Sequence, residues 1–323
     1  MLENLIEVLK QNKRKLVFTE GSDPRILEAA SRLYADGLMA PILLGNPDEI
    51  NAKAAECGFN IDGIEIINPE TYADFDKMVD LMVELRKGKM DRDTCIACLK
   101  KSNYFGTMLV KMDLADGLLG GATYSTADTV RPALQIIKTK PGNKIVSSSF
   151  IMFREGENGE EKYAMGDCAI NLFPTDDELV EIAVETAKTA KAFGIDPKVA
   201  MLSYSTLGSG KGESVDKVRS ATEKAKAAAP DLAIDGELQF DAAFSPVVAK
   251  TKCPNSPVAG QANTFIFPDI NAGNIGYKVA QRFGGFDAFG PILQGLNAPI
   301  NDLSRGCNAE EVYQMAIITA GLK

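Results

Sequence analysis

The chain has 323 residues, 45% hydrophobic and 24% charged, with a formal net charge of −9 and no histidine. That length predicts about two domains, each able to bury a core of its own. The acidic balance excludes general affinity for nucleic acid or an anionic membrane, so an anionic substrate would need arginines concentrated locally. The lack of histidine excludes a Ser-His-Asp triad and any imidazole base.

The opening segment MLENLIEVLKQNKRK reads as a charged helix without the apolar centre of a signal peptide. No apolar run approaches the roughly 20 residues of a membrane span, so a cytoplasmic protein is expected. Cys57, Cys95, Cys98, Cys168, Cys253 and Cys307 are scattered, and free thiols are the expectation. Cys95 and Cys98 form a C-x-x-C inside a helical pattern, with no second pair beside it, and no metal is predicted.

In chain order, the first half alternates strands at 16–19, 41–44, 64–67 and 115–119 with helices at 24–35, 48–57, 72–87 and two over 92–112. Such β–α alternation argues for a mainly parallel sheet flanked by helices. The segment 126–137 reads as a helix capped by Ser125 or Thr126, and Pro132 is tolerated there only near the first turn. TKPGNK, 139–144, is the domain boundary. Strands at 145–153 and 163–165, joined by a Gly- and Glu-rich turn, open the second half. Helices at 177–193, 215–229, 241–250 and 272–283 then alternate with strands at 199–203, 232–234, 264–267 and 286–292. The fold class is α/β, with two such domains divided near residue 142.

Five stretches could carry chemistry. In GGATYSTADTVRPALQ, 120–135, small residues precede a helix start at Ser125 and Thr126, with Arg131 behind, and could form an anion contact; a tight turn with an exposed arginine explains the same pattern. SYSTLGSGKGES, 203–214, fails the Walker pattern at Ser205 and Gly212 but could still cradle a polar ligand. GDCAIN and DGELQFDAAF put carboxylates at strand ends, where open α/β sheets bind ligands and where aspartates also cap helices. In NAPINDLSRGCNAEE, 297–311, Pro299 breaks any helix and Asn308 caps a final one. The start of that helix favours an anion, Arg305 supplies a bidentate fork, and Gly306 lets backbone approach a ligand. A capped helix beside a solvated arginine is the plainer reading.

STADTVRPALQIIKTKPG, GDCAIN, DGELQFDAAF, AGNIGYKVAQRFG and GPILQGLNAPINDLSRGC, with the final helix, span nearly the whole chain. Together they resemble the phosphate acetyltransferases (phosphotransacetylases) of the phosphate acetyl/butyryltransferase family. The resemblance implies an acyltransferase interconverting acetyl-CoA and phosphate with acetyl phosphate and CoA, by direct thiolate attack in a ternary complex. It implies two α/β domains, 1–142 plus 300–323 and 143–299, with the active site between them, the last helix returning to the first, and a homodimer. CoA, acetyl phosphate and phosphate are then substrates, and neither cofactor nor metal is needed, although potassium or ammonium often stimulates. A phosphate butyryltransferase, or a regulatory module of the same fold, is the alternative.

Matched by motif, Arg305 is the phosphate-binding arginine and Ser304 beside it stabilises the tetrahedral intermediate. Arg131 and Arg86 (in ELRKGK) are further substrate arginines, and Cys307 lies near the site without being the nucleophile. Ser125, Thr126 and Gly306 complete the substrate-binding set. Glu311 stands where the family usually has aspartate, the base for the CoA thiol, and Tyr124 replaces a common histidine. Glu311 is also three residues after Asn308, the spacing of a capping box, so base and cap are both open to it.

Overall fold

The structure is a computed structural model of the chain, and it describes residues 2–156 and 159–323. The tip of the Gly- and Glu-rich turn, 157–158, lies outside the described residues. The chain divides into two compact units, Leu2–Pro141 with Leu296–Lys323, and Gly142–Gly295. In this division the return to the first unit begins at Leu296.

The first unit runs α1 (Glu3–Gln11), β1 (Arg14–Phe18), α2 (Pro24–Ala35), β2 (Met39–Leu44), α3 (Pro47–Cys57), β3 (Glu65–Ile67) and α4 (Phe75–Arg86). It continues through α5 (Arg92–Leu99), α6 (Ser102–Lys111), β4 (Gly117–Gly120) and α7 (Thr126–Pro132). Proline at the first position of α2 and α3, after capping Asp23 and Asn46, sets both helix starts. The five strands pair in parallel, and Leu16, Val17 and Phe18 of β1 are buried on both faces, as a sheet sandwiched by helices requires. Val17 and Leu118 belong to a core with Phe105, Met108 and Leu109 of α6.

The expected 126–137 helix changes form halfway. After Pro132 it widens into a π turn, Ala133–Ile137. Pro132 sits at the end of α7 rather than in its first turn, and has no N–H to give the Asp128 carbonyl. The side chain of Asn103 gives one instead, at 2.7 Å. A neighbouring helix therefore meets the acceptor that proline leaves open.

The second unit comprises β5 (Ser147–Gly156), β6 (Gly159–Gly166), α8 (Asp176–Ala192), β7 (Lys198–Leu202), α9 (Glu213–Ala228) and β8 (Ala233–Leu238). It closes with α10 (Phe240–Phe244), α11 (Pro246–Lys252), β9 (Thr264–Ile266), α12 (Ile270–Gly284) and β10 (Asp287–Gln294). Its sheet order is β10-β5-β6-β9-β7-β8. The pairs on β9 and β7 are parallel, whereas β5 pairs β6 and β10 antiparallel, so this sheet is mixed and mainly parallel. The helix expected over 241–250 is two, because Ser245 before Pro246 is held extended at ψ 118°.

The chain then returns with β11 (Ile300–Asp302) and α13 (Ala309–Gly321). β11 adds in parallel to β4 and completes the order β11-β4-β1-β2-β3. This three-residue strand was not expected from the sequence, where Pro299 suggested only a turn. No helix among the described residues is long and apolar enough to cross a membrane.

Candidate active site

In the first sheet the chain moves from β1 to β2 and β3 on one side, and later to β4 and β11 on the other. The reversal lies between β1 and β4, and the carboxyl ends beside such a switch are where open α/β sheets place ligands. Three segments leave the sheet there: Thr19–Glu20 after β1, Gly121–Ser125 after β4, and Leu303–Cys307 after β11.

Beneath these segments lies a polar cluster. Thr19 gives its proton to Glu20 Oε2 (2.8 Å), so the Tyr124 hydroxyl is the donor in its 2.8 Å contact with Thr19 Oγ1. Thr123 N donates to Glu20 Oε1 at 2.9 Å. Asp302 accepts from Thr126 Oγ1 at 2.6 Å and from the Thr129 hydroxyl. Glycine makes the cluster possible: a Cβ on Gly120 would stand 2.1 Å from Thr19 Oγ1 and from the Tyr124 hydroxyl, and one on Gly121 (φ +99°) 2.2 Å from Asp302 Oδ1. Burial pushes the Glu20 and Asp302 carboxyls above the usual range, against the threonine hydrogen bonds that pull them down. Burial likewise raises the Tyr124 phenol, which stays protonated as a donor.

The turn after β11 presents Ser304, Arg305 and Gly306 to solvent and buries Cys307. It is closed by Cys307 N to the Ser304 carbonyl (2.9 Å) and by Gly306 N to Ser304 Oγ (3.2 Å). Among the described residues the Arg305 guanidinium makes no hydrogen bond or ion pair. Arg25, from the second position of α2, reaches the same turn and donates to the Arg305 and Cys307 carbonyls at 3.0 and 3.1 Å. Burial pushes the Cys307 thiol up, and the nearby Arg25 charge only partly offsets this. Lowering of that thiol by the adjacent positive charge, which would favour a covalent route, is therefore outweighed.

Asn308 caps α13, and Glu311 completes the capping box: Glu311 N to Asn308 Oδ1 is 2.8 Å, and Asn308 N to Glu311 Oε2 is 2.9 Å. The Glu311 side chain is exposed, leaving its other oxygen toward solvent. Glu310 next to it is paired with Arg32 at 2.8 Å.

At the start of α7, Ser125 holds the N-cap position without capping through its side chain; its hydroxyl bonds Asp128 Oδ2 at 2.7 Å. Thr126, through Asp302, ties this helix to the strand that leads into Ser304. Arg131 is exposed on α7. Arg86, the last residue of α4, donates to the Gln135 carbonyl at 3.3 Å, while its buried Nε has no partner among the described residues. The structure thus gathers Ser125, Thr126, Ser304, Arg305, Gly306, Cys307 and Glu311 at one end of the sheet. It sets Arg86 against the segment that follows Arg131. No hydrogen bond among the described residues joins either of these arginines to the Ser304–Cys307 turn.

In the second unit Asp167 serves its own loop, and Glu237 serves the loop that follows β7. Asp167 accepts from the N–H groups of Ala169, Ile170 and Asn171 at 3.0, 3.2 and 2.9 Å. Glu237 Oε1 takes Gly208 N (2.7 Å) and Ser205 Oγ (2.9 Å). The Ser203–Ser214 loop does border a cavity of about 660 Å³, with Lys211 and Arg219 on its wall, but two of its donors belong to Glu237.

Sequence reasoning missed Thr19, Glu20, Arg25 and the anchoring role of Asp302. The available signal was position: TEGSDPR follows the first strand of a parallel sheet and leads directly into a Pro-started helix.

The Phosphate acetyl/butaryl transferase family profile matches residues 1–320. A crystal structure of a phosphotransacetylase from Streptococcus pyogenes is 59% identical, covering 99% of this chain and 96% of that one with a TM-score of 0.96. Phosphate acetyltransferase from Bacillus subtilis (strain 168) is 56% identical over 306 residues, 95% of this chain and 94% of its own. The EutD phosphotransacetylase from Staphylococcus aureus is 50% identical with a TM-score of 0.92, covering 99% of this chain and 97% of that one. Matches of this extent over a site of this construction establish that the chain belongs to the phosphate acetyl/butaryl transferase family of enzymes.

Proposed function

We propose that the protein is a phosphate acetyltransferase, interconverting acetyl-CoA plus phosphate and acetyl phosphate plus CoA. The observation that carries this reading is Arg305: in a chain of net charge −9, its guanidinium is exposed at the switch point of the sheet and uncommitted among the described residues. The CoA thiolate attacks the carbonyl carbon of acetyl phosphate, the C–S bond forms, and the C–O bond breaks with its electron pair leaving on phosphate. The thiol proton passes to Glu311. Arg305 meets the phosphate, and Ser304 donates to the developing oxyanion, where charge appears in the transition state. Arg131 and Arg86 serve as further substrate arginines, and Ser125, Thr126 and Gly306 complete the substrate-binding set. No organic cofactor or metal enters this scheme.

The test is turnover of acetyl phosphate that requires CoA, in parallel with butyryl phosphate. Faster use of butyryl phosphate would move the assignment to the butyryl enzymes. No turnover of either would leave a non-catalytic module. Cys307→Ala is expected to retain more than about a tenth of wild-type turnover, and intact-mass analysis during turnover to show no acetyl adduct; a kinetically competent adduct on Cys307 would overturn direct transfer.

The cysteines are free thiols, which suits a cytoplasmic enzyme. A homodimer is part of the same reading. Ile275, Val279 and Phe283 form an exposed stripe on α12, Phe283 at 90% exposure, which supplies an apolar surface for a second copy. Val279→Glu with Phe283→Glu is expected to shift sedimentation from two chains to one. A variant that still sediments as a dimer would place the interface elsewhere.

A further inference from the structure

We infer that Arg25 is a positioning residue, whose guanidinium holds the Ser304–Cys307 turn in the geometry that presents Arg305 to phosphate. This rests on the proposed function above and assigns a role within it to a residue whose part in the site was not evident from sequence.

A guanidinium has five N–H bonds in a fixed plane. In Arg25 all five are used. Nε donates to Asp23 Oδ1 at 2.9 Å and Nη2 to Asp23 Oδ2 at 2.8 Å, a bidentate fork with the aspartate that caps its own helix. The second Nη2 hydrogen goes to the Ala122 carbonyl at 3.0 Å. The two Nη1 hydrogens go to the Arg305 and Cys307 carbonyls at 3.0 and 3.1 Å, with Cys307 Sγ at 3.7 Å. One planar group therefore joins the segments that leave β1, β4 and β11.

Three consequences follow from this count. No donor remains for substrate, so Arg25 differs in kind from Arg305, which has no such partners. Asp23 fixes the plane of the fork on a helix start, so the two carbonyls of the turn are held against a rigid element. Lysine cannot substitute, since its three donors radiate from one point and cannot span carbonyls on different segments. A displacement of about 1 Å in a catalytic group costs on the order of 10² in rate. Once the clamp is gone, the hydrogen bonds left to the Ser304–Cys307 turn among the described residues are its own two, at 2.9 and 3.2 Å.

The test compares Arg25→Ala, Arg25→Lys, Arg305→Ala and the double alanine variant, with folding followed by circular dichroism. Arg25→Ala is expected to lower kcat about 10²-fold while KM for CoA changes less than about threefold; Arg25→Lys recovers little, and added guanidinium ion restores about tenfold. Because Arg25 acts through the turn, the double variant should be no slower than Arg305→Ala alone. Multiplicative losses, or a wild-type kcat in Arg25→Ala, would overturn the inference. A second readout needs no substrate: alkylation of the buried Cys307 thiol should rise about tenfold in Arg25→Ala and in Arg25→Lys. An unchanged alkylation rate in both would refute the clamp even if the wild-type protein turned over no acetyl phosphate, and turnover by the wild type alone decides the functional reading. Should Arg25→Ala fail to fold, Arg25→Lys carries both measurements.

Discussion

Arg305→Ala is expected to lower acetyl phosphate turnover by 10³-fold or somewhat more, with no measurable change in thermal stability. Loss of one preorganised donor to an oxyanion typically costs about 10²–10³ in rate, and a charged donor to phosphate more. Acetyl phosphate is a mixed anhydride, so negative charge builds on both the carbonyl oxygen and the departing phosphate, and Arg305 lies beside the only side-chain hydroxyl of its turn. Stability should be spared because the guanidinium has no hydrogen-bond partner among the described residues to abandon. Arg305→Lys should recover only part of the loss, since an ammonium cannot bond two phosphate oxygens in one plane. Turnover of Arg305→Ala within tenfold of wild type would remove Arg305 from the chemistry.

Glu311→Gln separates the observed cap from the proposed base. Glutamine keeps an oxygen to accept from Asn308 N, the 2.9 Å half of the capping box that Glu311 makes. It cannot take a proton. The helix start should therefore persist while the rate at pH 7 falls about 10²-fold, within the range for a positioned general base. A thiol with a pKa of about 8.5 is only about 3% ionised at pH 7, so alkali supplies by itself much of what the base supplies. Between pH 7 and 9 the variant should gain on the wild type by roughly tenfold. An unchanged rate at pH 7, with chemistry shown to be rate-limiting, would reduce Glu311 to a cap. Glu310 is then a poor replacement because Arg32 holds it, and Asp167 is consumed by three backbone amides of its own loop.

What could be read from the sequence was what depends on neighbours along the chain. Apolar runs located strands such as β1 and β2, and the spacing of Asn308 and Glu311 gave the capping box, because caps and strands are written in a few consecutive residues. Features that depend on distant partners were silent. Arg25 looks like one more charged residue in the first turn of a helix until the turn that follows β11 folds against it. Pro132 looked misplaced because the donor that compensates it sits on α6, and the π turn behind it has no composition of its own. β11 is too short for a periodic pattern and exists through pairing with β4. Arg305 and Arg131 stood out beside helix starts, whereas Arg86 and Ser304 were reached only through resemblance, which carries over residue roles without the geometry that explains them.

The order in which the first unit receives its parts has a consequence for how the protein is made. Residues 142–295 must all be synthesised before Leu296 appears, a stretch of 154 residues (295 − 142 + 1). At about 5–20 residues per second this takes roughly 8–31 s. For that interval β4 is an unpaired edge, and the Leu5 side of α1 lacks α13, whose Gly321 would carry a Cβ only 3.0 Å from Leu5. Residues 2–141 alone can therefore supply only four of the five strands, with the β11 side of β4 open, until the second unit has been made. Concealment of that side and arrival of the Ser304–Cys307 turn are one event, because both come with the segment that follows Gly295.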